Sequence, residues 1–232
     1  MSRPRQLSLQ IMLDDAATFD NFHVTLANAP VLDYLSNVPD MAQFTVLWGA
    51  PGAGRSHLLQ ALCQQGDASA SLYMPLRMKA QFEPAILEGL ETLQLVCLDD
   101  LDEVLGDADW ELALFSLFNR LRDSGTRLLV AGSSAPRFLP VQLPDLLSRL
   151  QSGVVFQVHA LSDEDKIKAL QKRARLRGME LADDVAQYLL QRVERSSHGL
   201  FALLERLDEH SLQTQRRITI PFVREVLQND TL

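Results

Sequence analysis

Phe44-Thr45-Val46-Leu47-Trp48-Gly49-Ala50-Pro51-Gly52-Ala53-Gly54-Arg55-Ser56-His57-Leu58-Leu59-Gln60-Ala61 sets the architecture of this chain. Five apolar or β-forming residues run into a glycine-rich turn, and an amphipathic helix follows at once. Strand, turn and helix in that order are the context a phosphate-binding loop needs. Gly49, Gly52 and Gly54 let the backbone bend sharply and bring its N–H groups close to phosphate oxygens, with Ala50, Pro51 and Ala53 between them. The helix N-terminus near Gly54 adds the positive end of its dipole. Ser56 supplies the hydroxyl that would reach a Mg²⁺ ion. Where the pattern G-x-x-x-x-G-K-[ST] has lysine, this chain has Arg55. Arginine keeps the charge, but its planar fork does not act as a point charge between β- and γ-phosphates. The bland alternative is a glycine-rich turn without a ligand. The stretch predicts nucleotide binding with slow hydrolysis.

Outward from that loop, composition bounds the rest. The 232 residues suffice for one α/β core and a smaller appendage, and 47% apolar residues supply a core. No stretch approaches the ~18 consecutive apolar residues of a membrane span. The basic start, Met1 to Arg5, is followed by no long apolar region, so a soluble, cytoplasmic protein is expected. Cys63 and Cys97 lie far apart in apolar contexts and read as buried thiols. A net charge of −8 argues against a surface that binds long nucleic acid directly.

The flanking segments alternate in type. Gln6-Leu7-Ser8-Leu9-Gln10-Ile11 alternates polar and apolar residues. It is either a short edge strand or an extended peptide that docks apolar side chains into a partner. Thr18-Phe19-Asp20-Asn21-Phe22 sets two aromatics among polar residues, and 28–38 carries apolar residues at helical spacing. After the loop helix come a strand at 72–74, a helix over 78–90 divided by Pro84, and a strand at 93–98 ending in Asp99-Asp100. An amphipathic helix over 110–122, a strand at 127–131, a helical turn at 146–150 and a strand at 154–158 complete the alternation. This predicts a parallel sheet covered on both sides. From Ser162 onward only helices are expected: a capping box at Ser162 and Asp165 with an end near Gly178, then helices over 183–193, 200–213 and 221–227. The expected division is an extended segment 1–17, an α/β domain 18–160 and a helical lid 161–232.

The chemistry follows from position. Asp99 and Asp100 end a central strand beside the phosphate loop. Asp99 is the candidate on the metal side. Asp100 would position the attacking water, but is one methylene shorter than the glutamate of efficient ATPases. Arg149, within Leu146-Leu147-Ser148-Arg149-Leu150, is either a solvated surface arginine or a finger that reaches a neighbour's nucleotide. The run Lys172-Arg173-Ala174-Arg175-Leu176-Arg177 reads as a solvated face. His57, His23, His159 and His210 look bland, and no His/Cys cluster has zinc spacing.

These residues together resemble a known family. Thr18 to Phe22, Gly49 to Ser56, Leu98-Asp99-Asp100, Leu129 to Ser134, Leu143 to Leu150 and Leu161 to Lys166 are similar to the AAA+ module of the bacterial replication initiator DnaA. Within that group they resemble the small Hda-type relatives that promote regulatory inactivation of DnaA. The resemblance covers nearly the whole chain. It implies a P-loop AAA+ module with a parallel five-stranded sheet and a C-terminal all-helical lid. The chain ends after the lid, where DnaA has its DNA-binding domain, and Gln6, Leu7, Leu9 and Ile11 are similar to a peptide that docks on the sliding clamp. ADP (or another nucleotide), with Mg²⁺ where a metal is bound, would lie against residues 49–57 and the lid. Arg149 would be presented to ATP held by DnaA, and the clamp would tether the protein to DNA. Two positions depart from the family pattern. Ser133 stands where an aspartate is usual, and His198 where the lid normally supplies a sensor arginine. The resting form is left open, including a homodimer.

Two functions compete. The first is a regulator of replication initiation that acts with the DNA-loaded clamp on ATP bound to DnaA and so prevents re-initiation. The second is an AAA+ ATPase of helicase-loader or clamp-loader type that acts on its own ATP. A direct DNA-binding module is a weaker third, given the charge.

Overall fold

The computed structural model describes residues 17–37, 43–66, 69–192 and 197–229. The peptide with Gln6, Leu7, Leu9 and Ile11 lies outside these residues. Five strands, β1 (Phe44–Trp48), β2 (Ser71–Pro75), β3 (Leu95–Asp99), β4 (Arg127–Gly132) and β5 (Val154–Gln157), form one sheet in the order β2-β3-β4-β1-β5. Every pairing is parallel, as crossover connections through helices require. Eight helices are described: α1 (Ala29–Ser36), α2 (Arg55–Gln65), α3 (Ala108–Ser124), α4 (Pro144–Ser152), α5 (Asp163–Leu176), α6 (Asp183–Arg192), α7 (Ser197–Thr214) and α8 (Ile220–Asn229).

Strand alternation divides the core between two faces. Val46, Val96, Leu98, Leu128 and Val130 pack with Leu114, Leu117 and Phe118 of α3 and Leu146 and Leu150 of α4. Leu47, Cys97, Leu129 and Ala131 point the other way, onto Val31 and Leu35 of α1 and Leu58 and Leu62 of α2. A third apolar cluster belongs to the lid alone, built from residues such as Leu170, Leu189, Leu203, Leu207 and Phe222.

Local chemistry fixes the helix ends. Asp107 caps α3 by accepting from the Asp109 and Trp110 N–H groups, and Gly125 ends it in the left-handed region at φ 80°. Ser162 caps α5 as expected: its Oγ accepts from Asp165 N at 3.1 Å and donates to the Asp165 carboxylate at 2.7 Å.

Two expectations change. The helix expected over 78–90 is replaced by three short 3₁₀ turns, Leu76–Gln81, Pro84–Leu87 and Leu90–Thr92. Pro84 lacks an N–H and Gly89 takes φ 81°, so an α-helical ladder is cut twice. The apolar run at 154–158 is not buried on both faces. Its strand lies at the sheet edge with alternate residues exposed, Val155 among them.

Candidate functional site

The loop between β1 and α2 follows a path that glycine makes possible. At Gly49, a Cβ would stand 2.2 Å from the Val158 carbonyl oxygen. Gly54, at φ 102°, begins α2 with its backbone against the Phe22 ring, where a Cβ would meet Cε2 at 2.8 Å. Gly49 N donates to Gly132 O at 3.3 Å, so the loop leaves the sheet beside the end of β4. Its neighbours Ala50, Pro51, Gly52 and Ala53 close a turn in which Ala53 N donates to Ala50 O.

Arg55 and Ser56 open the first turn of α2. Arg55 Nη1 is buried and has no hydrogen-bond partner in the structure. A guanidinium nitrogen left so at a helix N-terminus fits an anion, because a phosphate oxygen would satisfy it with a charge-assisted bond. The residues present therefore suit a nucleotide's phosphates. Among the described residues no group of three His, Cys, Asp or Glu side chains could hold a metal. Ser56 and Asp99 are the donors the chain offers a Mg²⁺ ion, which ordinarily completes its shell with phosphate oxygens and water.

β3 ends at the same edge of the sheet, separated from β1 by β4. Asp99 is fully buried. Its Oδ2 accepts from the Tyr73 hydroxyl at 2.8 Å and its Oδ1 from the Asp100 N–H at 2.9 Å. Burial and the Asp99 charge push the Tyr73 phenol far above its ordinary range, which keeps it a donor. Asp100 sits in the left-handed region at φ 55° and pairs with Arg77 Nη1 at 3.1 Å. Its carboxyl is raised by burial and by Asp99, and drawn back by Arg77 and Arg55. Thus Arg55 and Asp100 feel each other across the loop.

Ser133 follows β4 between these two groups. Asp102 holds it twice, accepting from Ser133 N at 2.6 Å and from Ser133 Oγ at 2.7 Å. Asp102 was not singled out in the sequence; the Asp99-Asp100-Leu101-Asp102 spacing was the available signal. Glu111 was also missed. It is buried, with its carboxylate accepting from the N–H groups of Gly106, Gln142 and Leu143 at 2.6–3.0 Å. Those bonds tie α3 to the start of α4.

The lid reaches the loop through residues that composition made look ordinary. His57 is not a bland residue: Nε2 lies 2.7 Å from Thr18 O and Nδ1 3.1 Å from Arg173 Nη2. A guanidinium only donates, so Nδ1 accepts and Nε2–H donates to the carbonyl. Lys172 Nζ donates to Phe22 O at 2.9 Å, and His23 Nε2 faces Asp165 at 3.6 Å. The basic run 172–177 is therefore not simply a solvated face. Lys172 binds the segment 17–23, Arg173 binds His57 of α2, and Arg177 pairs with Glu205.

Comparison with known proteins agrees with this architecture. Residues 163–227 match the family model described as the Hda lid domain. Domain III of the Thermotoga maritima replication initiation protein DnaA superposes over 94% of this chain and 98% of its own, with a TM-score of 0.73 and 19% identity. Residues 163–227 thus form a lid of the Hda type, on a fold shared with DnaA domain III. AMPPCP-bound DnaA from Aquifex aeolicus covers 84% of this chain and 66% of its own, at TM-score 0.67 and 20% identity. The Thermotoga maritima RuvB Holliday junction branch migration motor covers 91% and 73%, at TM-score 0.65 and 15% identity.

Arg149 lies on α4, with α3 on the sheet face opposite α2. It is half-buried, and its Nη2 donates to Asn119 Oδ1 of α3 at 3.3 Å. The structure thus does not bring Arg149 to the chain's own phosphate loop. His198 falls in the first turn of α7, and its side chain lies outside the described residues.

Proposed function

We propose that this protein is a nucleotide-binding regulator of replication initiation that promotes hydrolysis of ATP held by DnaA. A nucleoside diphosphate such as ADP, with Mg²⁺, would lie against residues 49–57. Gln6, Leu7, Leu9 and Ile11 would dock on the DNA-loaded clamp, and Arg149 would reach the partner's γ-phosphate as an arginine finger. The observation that carries the reading is the Hda-type lid at 163–227 on a DnaA-like fold. The orphaned Arg55 Nη1 supports an anion at the loop. The seat of Arg149 on the face opposite α2 supports action on another molecule's nucleotide.

The second reading, an ATPase acting on its own nucleotide, is supported by Asp99 and Asp100 at the end of β3. Two contacts weigh against it. Asp100 is paired with Arg77, and the Ser133 hydroxyl is held by Asp102.

The deciding experiment follows hydrolysis of DnaA-bound ATP with this protein and clamp loaded on DNA. Arg149→Ala is expected to lower the stimulated rate by ~10³-fold or more, in the range of arginine-finger losses. A Gln6→Ala, Leu9→Ala double variant should lose stimulation only through loss of the clamp. Turnover of the protein's own ATP at ~1 s⁻¹ or more, without DnaA, would overturn the proposal in favour of the second reading.

A further inference from the structure

The lid carries an arginine that the loop helix meets directly, on a different helix from the one where the family pattern places its sensor. Arg173 sits on α5, which is the first lid helix. Its guanidinium carbon lies 3.8 Å from the centre of the Phe201 ring on α7, and its Nη2 donates to His57 Nδ1 at 3.1 Å. His57 follows Ser56 directly, within the first turn of α2. The other imidazole nitrogen donates to Thr18 O, and the Phe22 ring packs 5.7 Å from the imidazole, centre to centre. Phe22 is in turn the ring against which Gly54 is pressed. Two lid helices, the segment 17–23 and the start of the loop helix therefore converge on one guanidinium–imidazole contact.

A planar cation stacked on an aromatic ring has little freedom, so its remaining donors are fixed in direction. We propose that Arg173 is the positioning residue that couples the lid to the phosphate loop, holding the lid over a bound nucleotide through His57. This rests on the nucleotide reading above. The His23–Asp165 and Lys172–Phe22 contacts lie on the same side of the lid. They survive substitution of Arg173, so its loss loosens the lid and leaves it attached.

The test measures dissociation of a fluorescent ADP analogue, mant-ADP, with Mg²⁺ from the full chain. Arg173→Ala should release it about ten- to a hundredfold faster, the range of a lost charge-assisted hydrogen bond, with the association rate little changed. His57→Leu should do the same, and His57→Gln, which keeps one donor and one acceptor, should recover most of that loss. The Arg173→Ala, His57→Leu double variant should be no worse than either single one, since both break one contact. A general structural defect would slow association or lower the melting temperature, and the glutamine variant would not reverse it. An unchanged dissociation rate in Arg173→Ala, with the wild type binding normally, would overturn the proposal and leave the nucleotide reading intact. A wild type that holds no mant-ADP would overturn that reading. Hydrogen exchange of the nucleotide-free protein then decides: faster exchange at 17–23 and the first turn of α2 in Arg173→Ala upholds the coupling, and unchanged exchange refutes it.

Discussion

Asp100 combines two constraints that its neighbours only partly relieve. It holds a left-handed backbone conformation at φ 55°, and its carboxyl lies beside the buried Asp99. Burial and Asp99 raise its pKa above the ordinary 3.8, against the pull of Arg77 and Arg55. A carboxyl raised on folding takes up its proton more readily in the native state than in the unfolded one. Its relative stabilisation is present below the unfolded pKa and is lost as pH rises through the folded value. At pH 7 the ionised side chain is thus a net cost. Asparagine removes the charge and also tolerates the left-handed region. Asp100→Asn should raise the melting temperature at pH 7. The gain should vanish near pH 3, where both side chains are neutral. Melting curves at the two pH values check it, and a lower melting temperature at pH 7 would show that the Arg77 pair outweighs the repulsion.

At the scale of elements, two carboxylates hold helix ends in place with different visibility in the sequence. Ser162 with Asp165 was legible because a capping box has a fixed spacing, and in the structure the Ser162 hydroxyl accepts from Asp165 N and donates to the Asp165 carboxylate. Ser162→Ala should destabilise the lid by about 0.5–2 kcal/mol. The Ser162 hydrogen bond, and then His23, lower the Asp165 pKa. That contribution is present above the unfolded pKa and fades as pH falls through the folded one. The cost of the substitution should therefore shrink below pH ~4, the ordinary carboxylate range. Urea unfolding at pH 7 and pH 3.5 tests the sign. Glu111 was not legible, because its three N–H partners come from residues 106, 142 and 143 and only the fold assembles them. Glu111→Ala leaves those donors without an acceptor and should cost about 3 kcal/mol or more, measured by urea unfolding, with Glu111→Gln intermediate. The same distinction separates the other expectations. β1, the phosphate loop and α2 could be read because glycine and apolar runs act over a few neighbours. The 3₁₀ turns after β2 were misread because periodicity alone does not register where Pro84 and Gly89 cut a ladder. The Arg173–His57 contact was invisible because its two residues are 116 apart in the chain.

Over the whole molecule, the chain has an α/β core with two apolar clusters and a lid with a third of its own. The connections between them that hydrogen bonds and ion pairs define are polar: Lys172 to Phe22 O, Arg173 to His57 and His23 to Asp165. Polar junctions of this kind exchange protein–water contacts for protein–protein ones and gain little. A body with its own core and a polar junction is free to unfold before the rest. The nucleotide-free protein should therefore depart from a two-state melt. The calorimetric enthalpy should exceed the van't Hoff value, and α5–α8 should exchange amide hydrogens before β1, β3 and β4. A nucleotide held between loop and lid binds only when both are folded. At a hundred times its dissociation constant it adds about 2.7 kcal/mol to that joint state. The lower transition should then move toward the upper one until the two merge, while wild-type and Arg173→Ala proteins diverge in how far it moves. A single two-state transition in the free protein, unchanged in shape by saturating ADP, would mean that lid and core already unfold as one unit, and the polar junction would have to be far stronger than its hydrogen bonds account for.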